Sequence, residues 1–102
     1  MIEDAEQDIL DLYTYISQSD SPEKAQHVIG KIKEISSSLK NHPNRGHFPR
    51  ELERIGIMEY REIHFKPYRI IYRIAGNEVY IHCILDSRRD LQELLEKRLL
   101  RP

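Results

Sequence analysis

The chain has 102 residues, of which 39% are hydrophobic, so it can form one domain with one core and has no room for a separate cofactor domain. No stretch approaches the roughly 18 uninterrupted apolar residues of a membrane span. The N-terminus has neither the positive region nor the apolar run of a signal peptide. These features predict a cytoplasmic protein in which residues 1–102 form a single domain.

The net charge of −1 hides an uneven distribution. Residues 1–26 carry seven acids against Lys24, a balance of −6, and the remainder of the chain carries +5. Proteins that bind nucleic acid are usually more basic, because phosphate neutralisation supplies most of their affinity. The balance therefore disfavours a direct RNA-binding role without excluding it.

Two amphipathic helices are predicted first. Apolar residues recur at spacings of three and four from Glu3 to about Ser19, which leaves one apolar stripe. Ser21 is a candidate N-cap, and Pro22 suits the first position of a second helix that should stop near Asn41, ahead of Pro43. A short polar turn joins the two, so residues 3–41 are predicted to form a helical hairpin.

The second half of the chain is predicted to be a loop, a sheet and a closing helix. Residues 42–56 are rich in polar residues and helix breakers, which is typical of a surface loop. Residues 57–86 contain three strand-like runs separated by short breaks and therefore predict an antiparallel meander: Ile57–Phe65, Tyr68–Ile74 and Glu78–Leu85. Ser87 is a candidate cap for a helix over residues 88–100, with Lys97, Arg98 and Arg101 near its C-terminal end.

This order predicts an α+β fold in which the helical hairpin packs on one face of a twisted antiparallel sheet, with a short C-terminal helix. We expect the helices on one face and the other face free. Strand alternation assigns one set of side chains to the core: Tyr68, Ile70, Tyr72, Ile74, Val79, Ile81, Cys83 and Leu85.

The same alternation places polar side chains together on the free face. These are Arg69, Arg73, Tyr80 and His82, with Ile84 and Asp86 beside them and Arg88 and Arg89 at the rim. The orientation of the first strand, and with it the side of the sheet on which Arg61 lies, stays open. Such a cluster can receive phosphates or an acidic partner, although an uncovered sheet face is also polar for ordinary solvation.

No metal or cofactor site is predicted. No two of the five histidines have the spacing of a helical metal pair, and one cysteine cannot complete a zinc site. Cys83 lies in an apolar run and is expected to be a buried small side chain. The sequence contains no glycine-rich phosphate loop and no nucleophile motif.

Several segments resemble the RelE/ParE toxin superfamily, and they occur in the order that the family has. They are Ala5-Glu6-Gln7-Asp8-Ile9, Pro43 and Gly46 in the loop, Tyr60-Arg61-Glu62-Ile63, Tyr68-Arg69-Ile70-Ile71-Tyr72-Arg73-Ile74, and His82-Cys83-Ile84-Leu85-Asp86-Ser87-Arg88-Arg89-Asp90-Leu91. The resemblance implies the toxin half of a type II toxin-antitoxin system, with a helical hairpin on a twisted sheet and a cognate antitoxin that neutralises it.

The superfamily has two branches with different activities. RelE-like toxins cut messenger RNA in the ribosomal A site, with basic residues on the transition-state phosphate and a C-terminal Tyr or His. For a nuclease, the resemblance assigns Arg69 and Arg89 to the phosphate. The C-terminal aromatic is missing, because Leu95 stands about where it would fall, so His82 or His64 would have to move protons.

ParE-like toxins poison DNA gyrase and are not nucleases. The ending Ile84-Leu85-Asp86-Ser87-Arg88-Arg89-Asp90-Leu91 is more similar to this branch, which often has His at the position of Asp86. With the modest charge, it favours a growth-inhibiting gyrase poison over an mRNA endoribonuclease. The partner-binding surface would then comprise Arg61, Arg69, Arg73, Tyr80, His82, Arg88 and Arg89. A third alternative is an inactive toxin that still binds antitoxin.

The N-terminus departs from the family pattern, in which a β-strand precedes the first helix. Here the helix starts almost at Met1, so either the true start lies upstream or the edge strand is absent. An absent strand would expose a sheet edge on which an antitoxin strand or a second copy could pair. Both a homodimer and a heterotetramer with the antitoxin stay open.

Overall fold

The computed structural model describes residues 1–100, so Arg101, predicted to lie at the end of the last helix, falls outside the described residues. The elements in chain order are α1 (Glu3–Ser19), α2 (Pro22–Ser38), a 3-10 turn (Pro43–Arg45), α3 (Arg50–Glu53), β1 (Tyr60–Phe65), β2 (Tyr68–Ala75), β3 (Glu78–Asp86) and α4 (Gln92–Leu99). None of the helices in this part of the chain is long and apolar enough to cross a membrane.

The helical hairpin forms as the apolar spacing predicts. Its buried residues recur along one side of each helix: Ala5, Ile9 and Ile16 in α1, and Ala25, Val28, Ile29 and Ile32 in α2. Ser21 caps α2, since its hydroxyl oxygen accepts a hydrogen bond from the Lys24 backbone N–H at 3.1 Å. The cap and the proline at the first turn thus explain where α2 begins.

The three strands form an antiparallel sheet in the order β1-β2-β3. A two-residue connection pairs Phe65 with Tyr68, and a second connection pairs Ala75 with Glu78. The second turn requires the positive φ of 64° at Gly76, a conformation that glycine adopts without strain. The helical hairpin of α1 and α2 packs on the face of the sheet that carries Ile70 and Tyr72.

The opposite face of the sheet is covered, so the prediction of a free face is wrong. It carries a second apolar cluster in which Ile71, Cys83 and Leu85 of the sheet contact Leu52 of α3 and Leu95 of α4. The physical reason is that three apolar side chains on this side need cover from water. The two short helices provide it, and the domain consequently has helices on both faces of its sheet.

A β-bulge reverses the alternation of β3. Ile71 pairs with Cys83 and Tyr72 pairs with Ile81, so His82 has no residue opposite it. Ile81 therefore faces the hairpin as predicted, but Cys83 lies in the second cluster.

The residues beyond the bulge also change sides. Leu85 lies in the second cluster, and Ile84 packs on the hairpin side. The predicted core side for Cys83 and Leu85, and the predicted polar side for Ile84, are thus wrong because one extra residue shifts the register.

The segment 42–56 is more structured than the predicted surface loop. His47 forms a β-bridge with Glu62 on the outer edge of β1. Gly46 is buried, and no larger residue fits there because a Cβ would lie 2.5 Å from the Tyr72 hydroxyl oxygen and 2.6 Å from the Glu62 carbonyl oxygen. Leu52 is fully buried in the second cluster. The segment thus covers one sheet edge and contributes to the core.

The C-terminal helix is shorter than the predicted span of residues 88–100. It begins at Gln92, and the Ser87 hydroxyl donates to the Pro67 carbonyl oxygen at 2.6 Å instead of capping a helix. The Gln92 N–H donates to the Asp90 carboxylate at 3.2 Å. Ser87 therefore fastens the end of β3 to the β1–β2 turn.

The chain itself occupies part of the outer edge of β3. The Ile2 N–H donates to the Ile81 carbonyl oxygen at 3.0 Å, and the Ile84 N–H donates to the Asp8 carboxylate at 2.9 Å. Arg98 donates to the His82 carbonyl oxygen at 3.2 Å. The edge expected to be open to a pairing strand is consequently interrupted by groups from α1 and α4.

Replacement of Tyr72 by Phe is expected to destabilise the fold by about 1–3 kcal/mol, because a buried donor loses its partner. The Tyr72 hydroxyl accepts from the Gly46 N–H at 3.0 Å and donates to the Pro43 carbonyl oxygen at 2.7 Å. Urea unfolding measures the loss. Tyr80→Phe is the matched control, since the Tyr80 hydroxyl bonds only to Glu78 at an exposed site, and it should cost under about 0.5 kcal/mol. Equal losses for the two variants would contradict the assigned role.

Candidate functional site

Arg69 lies at the centre of a buried ion network. Its Nη1 and Nη2 atoms donate to the two carboxylate oxygens of Glu51 at 2.6 and 2.8 Å. Its Nε donates to Glu62 Oε2 at 2.6 Å. The side chains of Arg69 and Glu62 are only 9% and 4% exposed, so these charges neutralise one another away from water.

The pKa shifts of Arg69 and Glu51 follow from this geometry. The hydrogen bond from Arg69 is the main cause that lowers the pKa of Glu51 below its ordinary value. The hydrogen bond to Glu51 is likewise the main cause that raises the pKa of Arg69. Both groups therefore stay ionised through the neutral range.

A groove of about 500 Å³ opens above this network. Three of the four residues assigned to a nuclease line it, namely His64, Arg69 and Arg89. His47 and Glu51, which the sequence did not single out, line it as well. The fourth nuclease candidate, His82, does not.

His82 belongs to a separate group of side chains. Its ring meets the ring of Tyr60 edge-on with centroids 5.3 Å apart. Arg73 lies opposite Tyr80 in the sheet, with its guanidinium 5.7 Å from the centre of the Tyr80 ring. Arg73, Tyr80 and His82 thus come together as predicted, whereas Ile71 and its covering helices separate Arg73 from Arg69.

Desolvation shifts the pKa values of both His82 and Cys83 in the direction that disfavours their charged forms. Desolvation, followed by the charge of Arg73, lowers the pKa of His82 below its ordinary value. Its Nε2 atom is buried and has no hydrogen-bond partner within residues 1–100. Burial raises the pKa of the Cys83 thiol to about 12, so this predicted buried cysteine is unreactive at neutral pH.

Arg61 lies on the hairpin side of β1, because it alternates with Glu62 and neighbours Ile63, which packs on the first core. Its Nη1 donates to the Gly46 carbonyl oxygen at 2.9 Å, and its guanidinium stacks on Phe48 at 4.8 Å. At the end of the sheet it shares a cleft of about 330 Å³ with Arg73 and Met58.

Arg88 and Arg89 follow β3 on the surface. Arg88 is held by Asp86, with Nη2 2.6 Å from Oδ2, and this hydrogen bond is the main cause that lowers the pKa of Asp86. Arg89 is exposed and lines the groove above Arg69. The predicted partner-binding residues therefore form several distinct groups instead of one uncovered face.

The carboxylate partners of Arg69 and Arg98 were not predicted from the sequence. The β1–β2 turn places Glu62 and Arg69 on one side of adjacent strands, a signal that was available once the two-residue turn was fixed. Glu51 gave no such signal because it lies in a short helix inside the predicted loop. Arg98 was assigned only to the helix end, yet its guanidinium bonds to Asp8 of α1 at 3.1 Å.

The profile described as "ParE toxin of type II toxin-antitoxin system, parDE" matches residues 3–91, and the chain belongs to this family. No curated protein matches the chain significantly. The match to the ParE toxin family confirms the resemblance noted in the sequence.

A solved structure supports the fold independently. A chain of "Chromosomal ParDE TA system from P. aeruginosa" superposes with a TM-score of 0.69 at 24% identity, over 83% of this chain and 89% of that chain. The likeness confirms the α+β fold with its helical hairpin, antiparallel sheet and short C-terminal helix.

Replacement of Arg69 by Leu is expected to lower the free energy of unfolding by about 3–5 kcal/mol, because the buried Glu62 carboxylate loses its counter-ion. Urea unfolding near neutral pH measures the difference. Arg88→Ala removes an exposed ion pair instead, which solvent screens, and should leave the midpoint nearly unchanged. A small loss in Arg69→Leu would contradict the buried network.

The stability difference between the parent protein and its Arg69→Leu variant should depend on pH. Glu51 has a lowered pKa in the folded state, so its ion pair stabilises the fold above the ordinary carboxyl pKa of 4.5 and ceases to do so as the pH falls through the folded value. The stability gap between the parent and Arg69→Leu should therefore narrow between about pH 7 and about pH 3. A gap that widens towards acid would have the wrong sign for this pairing.

Proposed function

We propose that the protein is a ParE-like toxin that poisons DNA gyrase and is neutralised by a cognate antitoxin. Its place of action would then be the cytoplasm, where gyrase acts on DNA. Membership of the ParE toxin family supports the toxin role. The choice of gyrase over messenger RNA rests on one observation, the engagement of Arg69 by two carboxylates.

An arginine that stabilises a transition-state phosphate must offer its N–H groups to it. In this protein, the Nε and both terminal nitrogens of Arg69 already donate to Glu51 or Glu62. A phosphate that displaced Glu62 from Arg69 would leave a buried carboxylate without its counter-ion, which costs about 3–5 kcal/mol. This engagement disfavours Arg69 as the phosphate-stabilising residue of the endoribonuclease alternative.

The proton-transfer groups support the same choice. The buried Nε2 of His82 has no access to a phosphate in solvent. His64 is more accessible, but its Nε2 lies 3.3 Å from Glu62 Oε1, beside the same saturated network. The groove that His64 shares with Arg89 is nevertheless the feature that keeps the endoribonuclease as the second candidate.

The cleft at the other end of the sheet has the composition of a protein-binding surface. Phe48, Met58, Arg61 and Arg73 line it, and Met58 is 48% exposed. Aromatic residues, methionine and arginine are enriched in protein interfaces relative to the rest of a surface. We therefore assign gyrase contact to this cleft, with the stacked Arg73 and Tyr80 beside it.

Purified toxin is expected to inhibit supercoiling by gyrase and to accumulate cleaved DNA complexes. Arg73→Ala should weaken the inhibition at least about tenfold, because arginines at the centre of an interface are often worth more than about 1.4 kcal/mol. Lys31→Ala is the control, since Lys31 lies on the exposed side of α2 and pairs only with Glu34. Unaltered supercoiling at micromolar parent toxin would refute the proposal, and equal loss in both variants would refute the assigned surface.

Message cleavage and growth separate the remaining candidates. The endoribonuclease alternative requires A-site cuts in translated message, detected by primer extension, that disappear in the His64→Ala variant. Uncut message would exclude this alternative.

Induction of the toxin without antitoxin should arrest growth, and co-expression of the antitoxin should restore it. Normal growth with folded toxin present would instead identify an inactive toxin.

A further inference from the structure

We propose that His47, Glu62 and His64 form a binding site for a divalent transition-metal ion of the zinc type. The three residues lie on the outer part of β1 and on the segment bridged to it. The gyrase proposal does not use them as a group. A site here would also join the 42–56 segment to the sheet through a bond other than the bridge.

Strand geometry brings the three side chains together. His47 lies directly opposite Glu62, and the two residues exchange backbone hydrogen bonds of 3.0 and 2.6 Å. His64 follows Glu62 by two residues, which places both on the same side of β1. One residue opposite and one residue alongside Glu62 are the two nearest neighbours that a sheet offers.

The spacing of the donor atoms suits zinc. His64 Nε2 lies 3.3 Å from Glu62 Oε1, and His47 Nδ1 lies 3.6 Å from the same oxygen. One donor atom of each residue lies within 4.8 Å of the others. Zinc bonds of about 2.0–2.1 Å in tetrahedral geometry separate their ligand atoms by roughly 3.3–3.4 Å, so only small side-chain movements would close the site.

The Glu62 carboxylate is prepared for this role. Arg69 binds its Oε2 atom, and the imidazoles face its Oε1 atom. Because Glu51 neutralises Arg69 through two further hydrogen bonds, the charge of Glu62 remains available to a cation. A hydrogen-bonded carboxylate is the arrangement that orients ligands in known metal sites.

The two imidazoles leave the ion accessible. Their side chains are 64% and 41% exposed, whereas Glu62 forms the floor at 4%. The His47 Nδ1 atom also lies 3.2 Å from the Phe48 carbonyl oxygen, to which it donates when protonated; a metal ion on Nδ1 would replace this hydrogen bond and place the His47 proton on Nε2. Three protein ligands then leave a fourth position to water, as in open zinc sites.

Calorimetric titration of untagged, chelator-treated protein with Zn²⁺ alone tests the proposal. We expect one ion per chain, bound by the parent and weakened at least about 10–100-fold in His47→Ala/His64→Ala, because loss of a ligand should cost no less than loss of an outer partner. The matched control is His27→Ala/His42→Ala, which removes two exposed imidazoles outside the cluster and should bind as the parent does. Since both pairs are exposed, each variant should fold.

A second readout reports the ligands themselves. Co²⁺ in the same site should give the visible absorption of a four-coordinate ion with nitrogen ligands, and acid should abolish it as protons displace the metal from the imidazoles. Absence of Zn²⁺ binding by the parent would overturn the proposal. Undiminished binding by His47→Ala/His64→Ala, or an equal loss in the control, would overturn it as well.

Discussion

The guanidinium of Arg69 fixes the position of three parts of the chain. It projects from β2 and binds Glu62 of β1 and Glu51 of α3. Because α3 has only four residues, it could not hold a place on the sheet by its own helical hydrogen bonds. The ion network positions it, and the adjacent Leu52 then closes the second apolar cluster. Buried ion pairs contribute little net stability, so the gain here is in fixing one arrangement.

Much of the fold follows from sequence, but the cover of the second sheet face does not. The helical hairpin has a periodic apolar stripe, a cap and a proline, and each is a local signal. The β1–β2 register follows from a two-residue turn, so the neighbourhood of Glu62, His64 and Arg69 could be derived. Glu51 and Leu52 enter the site through tertiary contacts that no local pattern encodes.

The bulge at His82 is the clearest case of such a failure. Alternation is a reliable guide only while every residue has a partner, and one unpaired residue inverts every later side chain. The inversion delivers Cys83 and Leu85 to the second cluster. His82, the unpaired residue, keeps its predicted side of the sheet, where its ring meets that of Tyr60. One unpaired residue thus decides which apolar side chains at the end of β3 enter each core.

The C-terminal helix is fastened to the body of the domain, which constrains where partners can bind. Arg98 of α4 reaches past β3 to Asp8 of α1 and also bonds to the His82 carbonyl oxygen. A strand that paired along β3 would have to displace Asp8 or Ile2 from this edge, and loss of Asp8 would release Arg98. Strand pairing at β3 and the position of α4 are therefore coupled through one carboxylate. A target that contacts only the exposed side of α4, where Lys97 lies, avoids this cost.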